Sequence, residues 1–208
     1  MTTYPYRALN FALQLPDDIS ELCVRANRDP SADSFCDLEY ANNDPHINLA
    51  MGIFRVTDIP RIAGMLEDVL KKHHPLHLSI ERVYLNHSSV TGHQLVVSKT
   101  PEIVELYRDV KDALCYERPR VIAEEKAFYV DGIEDWEPKT VKWMKISAYK
   151  RPENYKPNIS LRCRNARVDA TFPIDFVVDT FGIAQLGNYG TYRSVQRLIS
   201  LKKQDESF

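Results

Sequence analysis

Pro45-His46-Ile47-Asn48-Leu49 decides the reading of this chain, because Pro157-Asn158-Ile159-Ser160-Leu161 repeats its pattern. In both stretches a proline precedes a polar ring or amide, an isoleucine, a small polar residue and a leucine. Residues 40–44 before the first copy and 151–156 before the second are polar and turn-rich, and each copy opens an apolar run typical of a strand. Residues two apart in a strand share a face. His46 and Asn48 therefore point one way and Ile47 and Leu49 the other. Asn158 and Ser160 likewise oppose Ile159 and Leu161. The pattern predicts two strands, each burying an aliphatic face and offering a polar pair to a cleft.

Composition bounds what such a cleft serves. A chain of 208 residues, 44% hydrophobic with only 7 glycines, suits one packed domain with room for two lobes. No apolar run approaches the roughly 18 residues of a membrane helix, and the N-terminus lacks the basic and apolar regions of a signal peptide. Cys23, Cys36, Cys115 and Cys163 are scattered, which points to reduced thiols in the cytoplasm rather than a disulfide framework or zinc site. A net charge of −2 argues against a binder of long duplex nucleic acid. A small anionic ligand or an RNA end fits better, with no membrane and no cofactor expected.

Strand and helix signals alternate along the chain. Residues 7–15 read as a buried strand, and Pro16-Asp17-Asp18 starts a helix running to about Arg28. A polar loop over 29–44 leads to the strand His46–Val56. Thr57 is expected to cap a helix whose stripe is Ile59, Ile62, Leu66, Val69 and Leu70. Leu76–Leu85 and Gln94–Ser98 read as a hairpin, and Thr100-Pro101-Glu102 opens a helix carrying Ile103, Leu106, Val110 and Leu114. In 117–150, Val121–Ala127 reads as strand or helix, and Trp136–Tyr149 as amphipathic with Val141, Met144 and Ile146 inward. The second motif strand spans Asn158–Cys163. Ile174–Phe181 and Ser194–Leu201 make a final pair around a turn region at Gly182–Tyr192, and 202–208 is a loose tail.

The paired motifs resemble those of the two-histidine (2H) phosphoesterase superfamily, which includes LigT-like 2′-5′ RNA ligases and 2′,3′-cyclic nucleotide phosphodiesterases. Its members carry His-x-Thr/Ser twice, each usually followed by an aliphatic residue. The resemblance covers most of the chain: the strand–Pro–helix opening, both motifs, and the closing Arg197-Leu-Ile-Ser-Leu201. It implies an α+β fold with two lobes related by a pseudo-twofold axis, antiparallel sheets lining a central cleft and helices outside. The whole of 1–208 is then one bilobal domain with an insertion at 117–150. Two departures stand out. Asn48 replaces the first Thr or Ser, and Asn158 replaces the second His.

What the resemblance implies for function is a phosphodiesterase acting on a 2′,3′-cyclic phosphate or a 2′-5′-linked RNA end. Opening a cyclic phosphate is an in-line displacement, with one group deprotonating the attacking water and another protonating the departing ribose oxygen from the far side. Histidine suits both roles because its ordinary pKa lies near neutrality. His46 keeps one acid/base position, and Ser160 keeps a donor to the non-bridging oxygens. Asn48 donates through its amide. Asn158 transfers no proton and can only orient a water or hold an oxygen, so activity is expected to be reduced. Tyr155, close by in sequence, is a conceivable but weak acid. Arg162 and Arg164 extend the even-numbered face of the second motif strand, where guanidinium groups either grip phosphate or stand solvated. Arg167 falls past the strand.

Other features carry less. His73, His74 and His77 span a helix end, a proline and a strand start, which disfavours convergence on a metal. His87 and His93 read as solvated loop residues. Tyr189 and Tyr192, beside Gly187 and Gly190, either stack on a base at the cleft mouth or pack the turn. Glu124-Glu125-Lys126 reads as a solvated face. Besides the enzyme, two alternatives remain: a non-catalytic nucleotide- or RNA-end-binding protein of the same fold, and a scaffold that keeps only the architecture.

Overall fold

The computed structural model describes residues 5–27, 44–84, 93–115, 127, 140, 144, 151–161, 166–187 and 190–201. Besides two 3₁₀ turns and the helical residues Thr140 and Met144, its regular structure among those residues comprises eight strands and three longer helices. They are β1 (Tyr6–Gln14), α1 (Asp17–Asn27), β2 (His46–Arg55), α2 (Ile59–Leu70), β3 (Leu76–Tyr84), β4 (Gln94–Val97), α3 (Pro101–Cys115), β5 (Asn158–Ser160), β6 (Ile174–Val178), β7 (Thr180–Leu186) and β8 (Tyr192–Ser200).

The strands form one antiparallel sheet in the order β6-β3-β4-β5-β2-β1-β7-β8. Its two four-stranded halves are related by a pseudo-twofold. Each half contains a strand–helix–strand unit, β1-α1-β2 in one and β4-α3-β5 in the other. The two motif strands meet at the seam between the halves, and the two expected sheets are thereby joined into one.

Alternation sorts the two faces. Leu9, Phe11 and Leu13 of β1, Leu95 and Val97 of β4, and Phe181 and Ile183 of β7 share a core with Ile19 and Cys23 of α1, Ile62, Leu66 and Leu70 of α2, and Ile103, Leu106, Val110 and Leu114 of α3. All three helices cover this one face, and their buried stripes follow the helical spacing that the sequence shows. The opposite face holds the polar members of both motifs. Beyond Phe11, one extra residue in β2, Leu49, is accommodated by a bulge opposite β1.

Several boundaries differ from expectation. Thr57 makes no cap; it lies inside a 3₁₀ turn, Val56–Asp58, and α2 begins without a side-chain cap at Asp58. The expected strand Ile174–Phe181 divides at Asp179, so that β6 pairs with β3 at one edge while β7 pairs with β1 and β8 in the other half. Gly182, expected to open a turn, sits inside β7 because Phe181, Ile183 and Leu186 are all buried. The second motif strand ends at Ser160 rather than Cys163.

Residues 117–150 lie outside the described residues except Ala127, Thr140 and Met144. All three of these are buried, and Ala127 and Met144 pack with Ala8, Ile53 and Leu186 in a small second cluster. The tail 202–208 and Glu124-Glu125-Lys126 are outside too. Cys23 and Cys115 are free thiols, and burial pushes the Cys23 thiol up to about 12. Among the described residues no helix is long and apolar enough to cross a membrane.

The seam rests on Ile47 and Ile159, both fully buried and paired across it. Replacing Ile159 with Ala leaves a cavity directly under the joint. Urea unfolding is expected to show a loss of about 3 kcal/mol for Ile159→Ala, against less than about 0.5 kcal/mol for Val177→Ala at an exposed position. Equal effects would mean that the seam is not a packed element.

Candidate functional site at the strand seam

Antiparallel pairing of Ile47 with Ile159 sets His46 opposite Ser160 and Asn48 opposite Asn158. Directly opposed residues share a face, so the four polar side chains form a quartet on the open side of the sheet. All four are half-buried, while Ile47, Leu49, Ile159 and Leu161 are fully buried behind them. His46 and Asn158 occupy one diagonal, which in such a pair spans about 7–8 Å. That is room for one phosphate between them.

His46 is held from both ring nitrogens. Its Nδ1 lies 2.8 Å from the Asp44 carbonyl, which can only accept, so Nδ1 carries the proton. Nε2 is then the basic nitrogen, and it receives the Asn10 amide at 3.2 Å. The same Asn10 amide donates to the Gly190 carbonyl at 3.3 Å, and its oxygen accepts from Asn48 Nδ2 at 2.6 Å. Asn10 is completely buried in β1. A buried amide with its donors and acceptor so engaged fixes the side chains of both polar residues of the first motif.

Tyr192 supports the same histidine from the side. Its ring stacks on His46 with centroids 5.1 Å apart, and it packs against Ala12 and Ala184 of the open face. Gly182 is required here, because a Cβ at that position would overlap the Tyr192 hydroxyl. Burial, and then the nearby Asp44 carboxylate, push the Tyr192 phenol above its ordinary range. The chain reaches this position through Gly190, whose φ of +80° is left-handed.

Tyr155 corrects an expectation. It does not reach a ligand on the open face. Its ring stacks on Tyr107 of α3 at 4.0 Å, and its hydroxyl donates to the Asn48 carbonyl at 3.0 Å. Burial, with the Tyr107 phenol as a smaller cause, drives its pKa upward, so it is no proton donor for a neutral-pH reaction. It props the first motif strand from the core side. Asn158 donates through Nδ2 to the Lys156 carbonyl at 2.9 Å. Arg162 and Arg164 lie outside the described residues, as do His87 and Tyr189. Arg167 is exposed beyond β5.

The remaining histidines separate. His73 is buried and pairs with Asp109 of α3 at 3.0 Å, whereas His74 and His77 are exposed. His93 is buried rather than solvated, and its carbonyl accepts from Leu161 N at 2.7 Å, extending the β4–β5 pairing. Among the described residues no group of three or more His, Cys, Asp or Glu is placed to hold a metal. A depression of about 610 Å³ opens beside Asp44 and the start of α1. Its wall includes Asp17, Glu21 and Asp44 against one Arg25, which makes it a poor place for an anion.

Sequence reading missed Asn10 and the role of Tyr192. The available signal was a lone amide inside an otherwise apolar strand, since a buried polar group must be hydrogen-bonded.

The family model for the 2′-5′ RNA ligase superfamily matches residues 15–138, more than half of the chain; these include the first motif, and the second lies beyond them. No curated protein sequence is similar enough to count as a relative. Among solved structures, TT0787 of Thermus thermophilus superposes with a TM-score of 0.59 at 16% identity, over 95% of this chain and 99% of that one. Escherichia coli LigT complexed with phosphate gives 0.52 at 12% identity, over 97% of this chain and 100% of that one. The same protein complexed with 3′-AMP gives 0.51 at 13% identity over the same shares. At these identities the likeness is one of fold.

Removing the Asn10 amide strips His46 Nε2 and Asn48 of a common partner. Asn10→Ala is expected to cost about 1–3 kcal/mol in denaturant unfolding. Nitrogen-15 NMR of the His46 ring should show the tautomer balance shifting away from Nδ1–H. An unchanged imidazole spectrum would show that Asn10 does not position the ring.

Proposed function

This chain belongs to the 2′-5′ RNA ligase superfamily, and from that premise we propose that it is a slow phosphodiesterase acting on a 2′,3′-cyclic phosphate or a 2′-5′-linked RNA end. The quartet His46, Asn48, Asn158 and Ser160 is its phosphate cradle. The observation that carries this reading is the seam register, which gathers both motifs on one face with His46 and Asn158 across a diagonal. E. coli LigT, of the same fold, is crystallised with phosphate and with 3′-AMP, which supports a small phosphate-bearing ligand. Free thiols at Cys23 and Cys115 fit a reducing compartment, the cytoplasm.

In the proposed reaction His46 Nε2 takes a proton from water as the water oxygen attacks phosphorus. The 3.2 Å contact from Asn10 opens to admit the water at Nε2, while Asn10 keeps its bonds to Gly190 and Asn48. The bond to the ribose oxygen breaks on the opposite side, where a water held by Asn158 protonates the departing oxygen, and the hydroxide it leaves is neutralised through solvent by the proton that His46 took up. Ser160 and the Asn48 amide donate to the non-bridging oxygens and stabilise their growing charge. With no titrating group at 158, the step loses about 10²–10⁴ in rate relative to a two-histidine site. The same feature favours a second reading, in which the cradle binds a nucleotide end without turning it over. Asn158 already spends one amide hydrogen on the Lys156 carbonyl and has no titrating proton to exchange.

Hydrolysis of 2′,3′-cyclic AMP separates these readings. Wild type should turn over slowly, His46→Ala should fall at least about 10²-fold, and Asn158→His should rise by a comparable factor. If wild type and a folded Asn158→His are both inert while 3′-AMP still raises Tm, the binding protein is the correct reading.

A further inference from the structure

The two halves of the open face are not equivalent, and the difference gives the site a direction. Pairing of β5 with β4 sets Val96 beside Asn158 and Gln94 beside Ser160. Pairing of β4 with β3 sets Arg82 beside Val96 and Tyr84 beside Gln94. Directly paired antiparallel residues share a face. Arg82 and Tyr84 therefore stand on the quartet's side of the sheet, two strands from Asn158 and Ser160, or about 10 Å. Val83 between them packs into the helix-covered core, as the alternation requires. Val96 and Gln94 form the half-buried floor between.

In the other half, the positions equivalent to Arg82 and Tyr84 are Thr180 and Gly182, two strands from His46 and Asn48. There the surface is filled by Tyr192, lying over Gly182 and against His46. On the β3 side Arg82 is exposed, and among the described residues it has no hydrogen-bond or ion-pair partner, Glu81 in the adjoining bulge included. Tyr84 is 47% exposed, and its ring touches no other ring among the described residues. A free guanidinium and an uncovered aromatic ring, two residues apart on one face, pair a phosphate grip with a stacking platform.

We propose that Arg82 and Tyr84 form a second subsite, which holds the internal phosphate and base of the neighbouring nucleotide of a single-stranded oligonucleotide whose terminal phosphate lies in the quartet. This subsite rests on the reading of the quartet as a phosphate cradle. Arg82 takes the phosphodiester through its guanidinium fork, and Tyr84 stacks on a base of any identity. The oligonucleotide runs from the seam across β4 towards β3, because Tyr192 occupies the opposite direction.

Calorimetric titration with 3′-AMP and with ApAp, a diadenylate ending in a 3′-phosphate, tests this on the full chain. Wild type is expected to bind ApAp about tenfold more tightly than 3′-AMP. Arg82→Ala and Tyr84→Ala should each cut that ratio at least about threefold, and Arg82→Ala should also lower the salt dependence of ApAp binding by about one phosphate contact. Both side chains are exposed, so thermal melts should match wild type. A wild-type ratio near one, or variants that leave the ratio unchanged, overturns the subsite while 3′-AMP binding that weakens in His46→Ala and Ser160→Ala keeps the cradle. Indifference of 3′-AMP to those two changes overturns the cradle and the subsite together.

Discussion

One backbone register holds this molecule's candidate site together: Ile47 opposite Ile159 at the junction of the two half-sheets. The side-chain period of a strand is two, so a slip of one residue at this junction would turn His46 and Asn48 into the core and Ile47 into water. The aliphatic faces prevent that slip. Ile47, Leu49, Ile159 and Leu161 all belong to the main core under the three helices. Hydrophobic burial on one side of the sheet thus places four polar groups on the other.

Register places the backbone, and a second layer aims the side chains. Asn10 bridges His46 and Asn48, the Asp44 carbonyl fixes the ring's tautomer, and Tyr192 stacks on its flank. Tyr155 props Asn48's backbone from below. These supports bear on the first motif, the one that keeps its histidine. Asn158 has a local backbone contact from its own turn.

The sequence showed the parts of this arrangement that depend on local periodicity. Alternation of polar and aliphatic residues at 46–49 and 158–161 identified both faces, and the helical stripes of Ile62–Leu70 and Ile103–Leu114 identified what covers one of them. What it hid were features set by distant partners. Gly182 reads as a turn residue until Tyr192 is found lying on it. Ile174–Phe181 reads as one strand, because nothing local reveals that Asp179 separates pairing with β3 from pairing with β1. Tyr155 reads as a candidate acid by proximity, and only the stacked Tyr107 shows that it faces inward. Asn10 was visible as an oddity in an apolar strand, but its partners lie 36, 38 and 180 positions away.

Pseudo-symmetry explains why the departures from the two-histidine pattern need not dissolve the site. The opposed pairs across the seam are His46 with Ser160 and Asn48 with Asn158, so each keeps at least one neutral hydrogen-bond donor. An amide donates to a phosphate oxygen at every pH without first being protonated. Replacing the second imidazole by an amide therefore removes a proton carrier while leaving the electrostatic cradle largely intact. Binding and proton transfer, which a symmetric two-histidine site combines, are divided here. In the proposed reading the seam and its donors hold a phosphate, and within the quartet His46 alone can move a proton. If the quartet is the proposed cradle, contacts along the open β3–β4 side would add occupancy that a single imidazole cannot supply by itself.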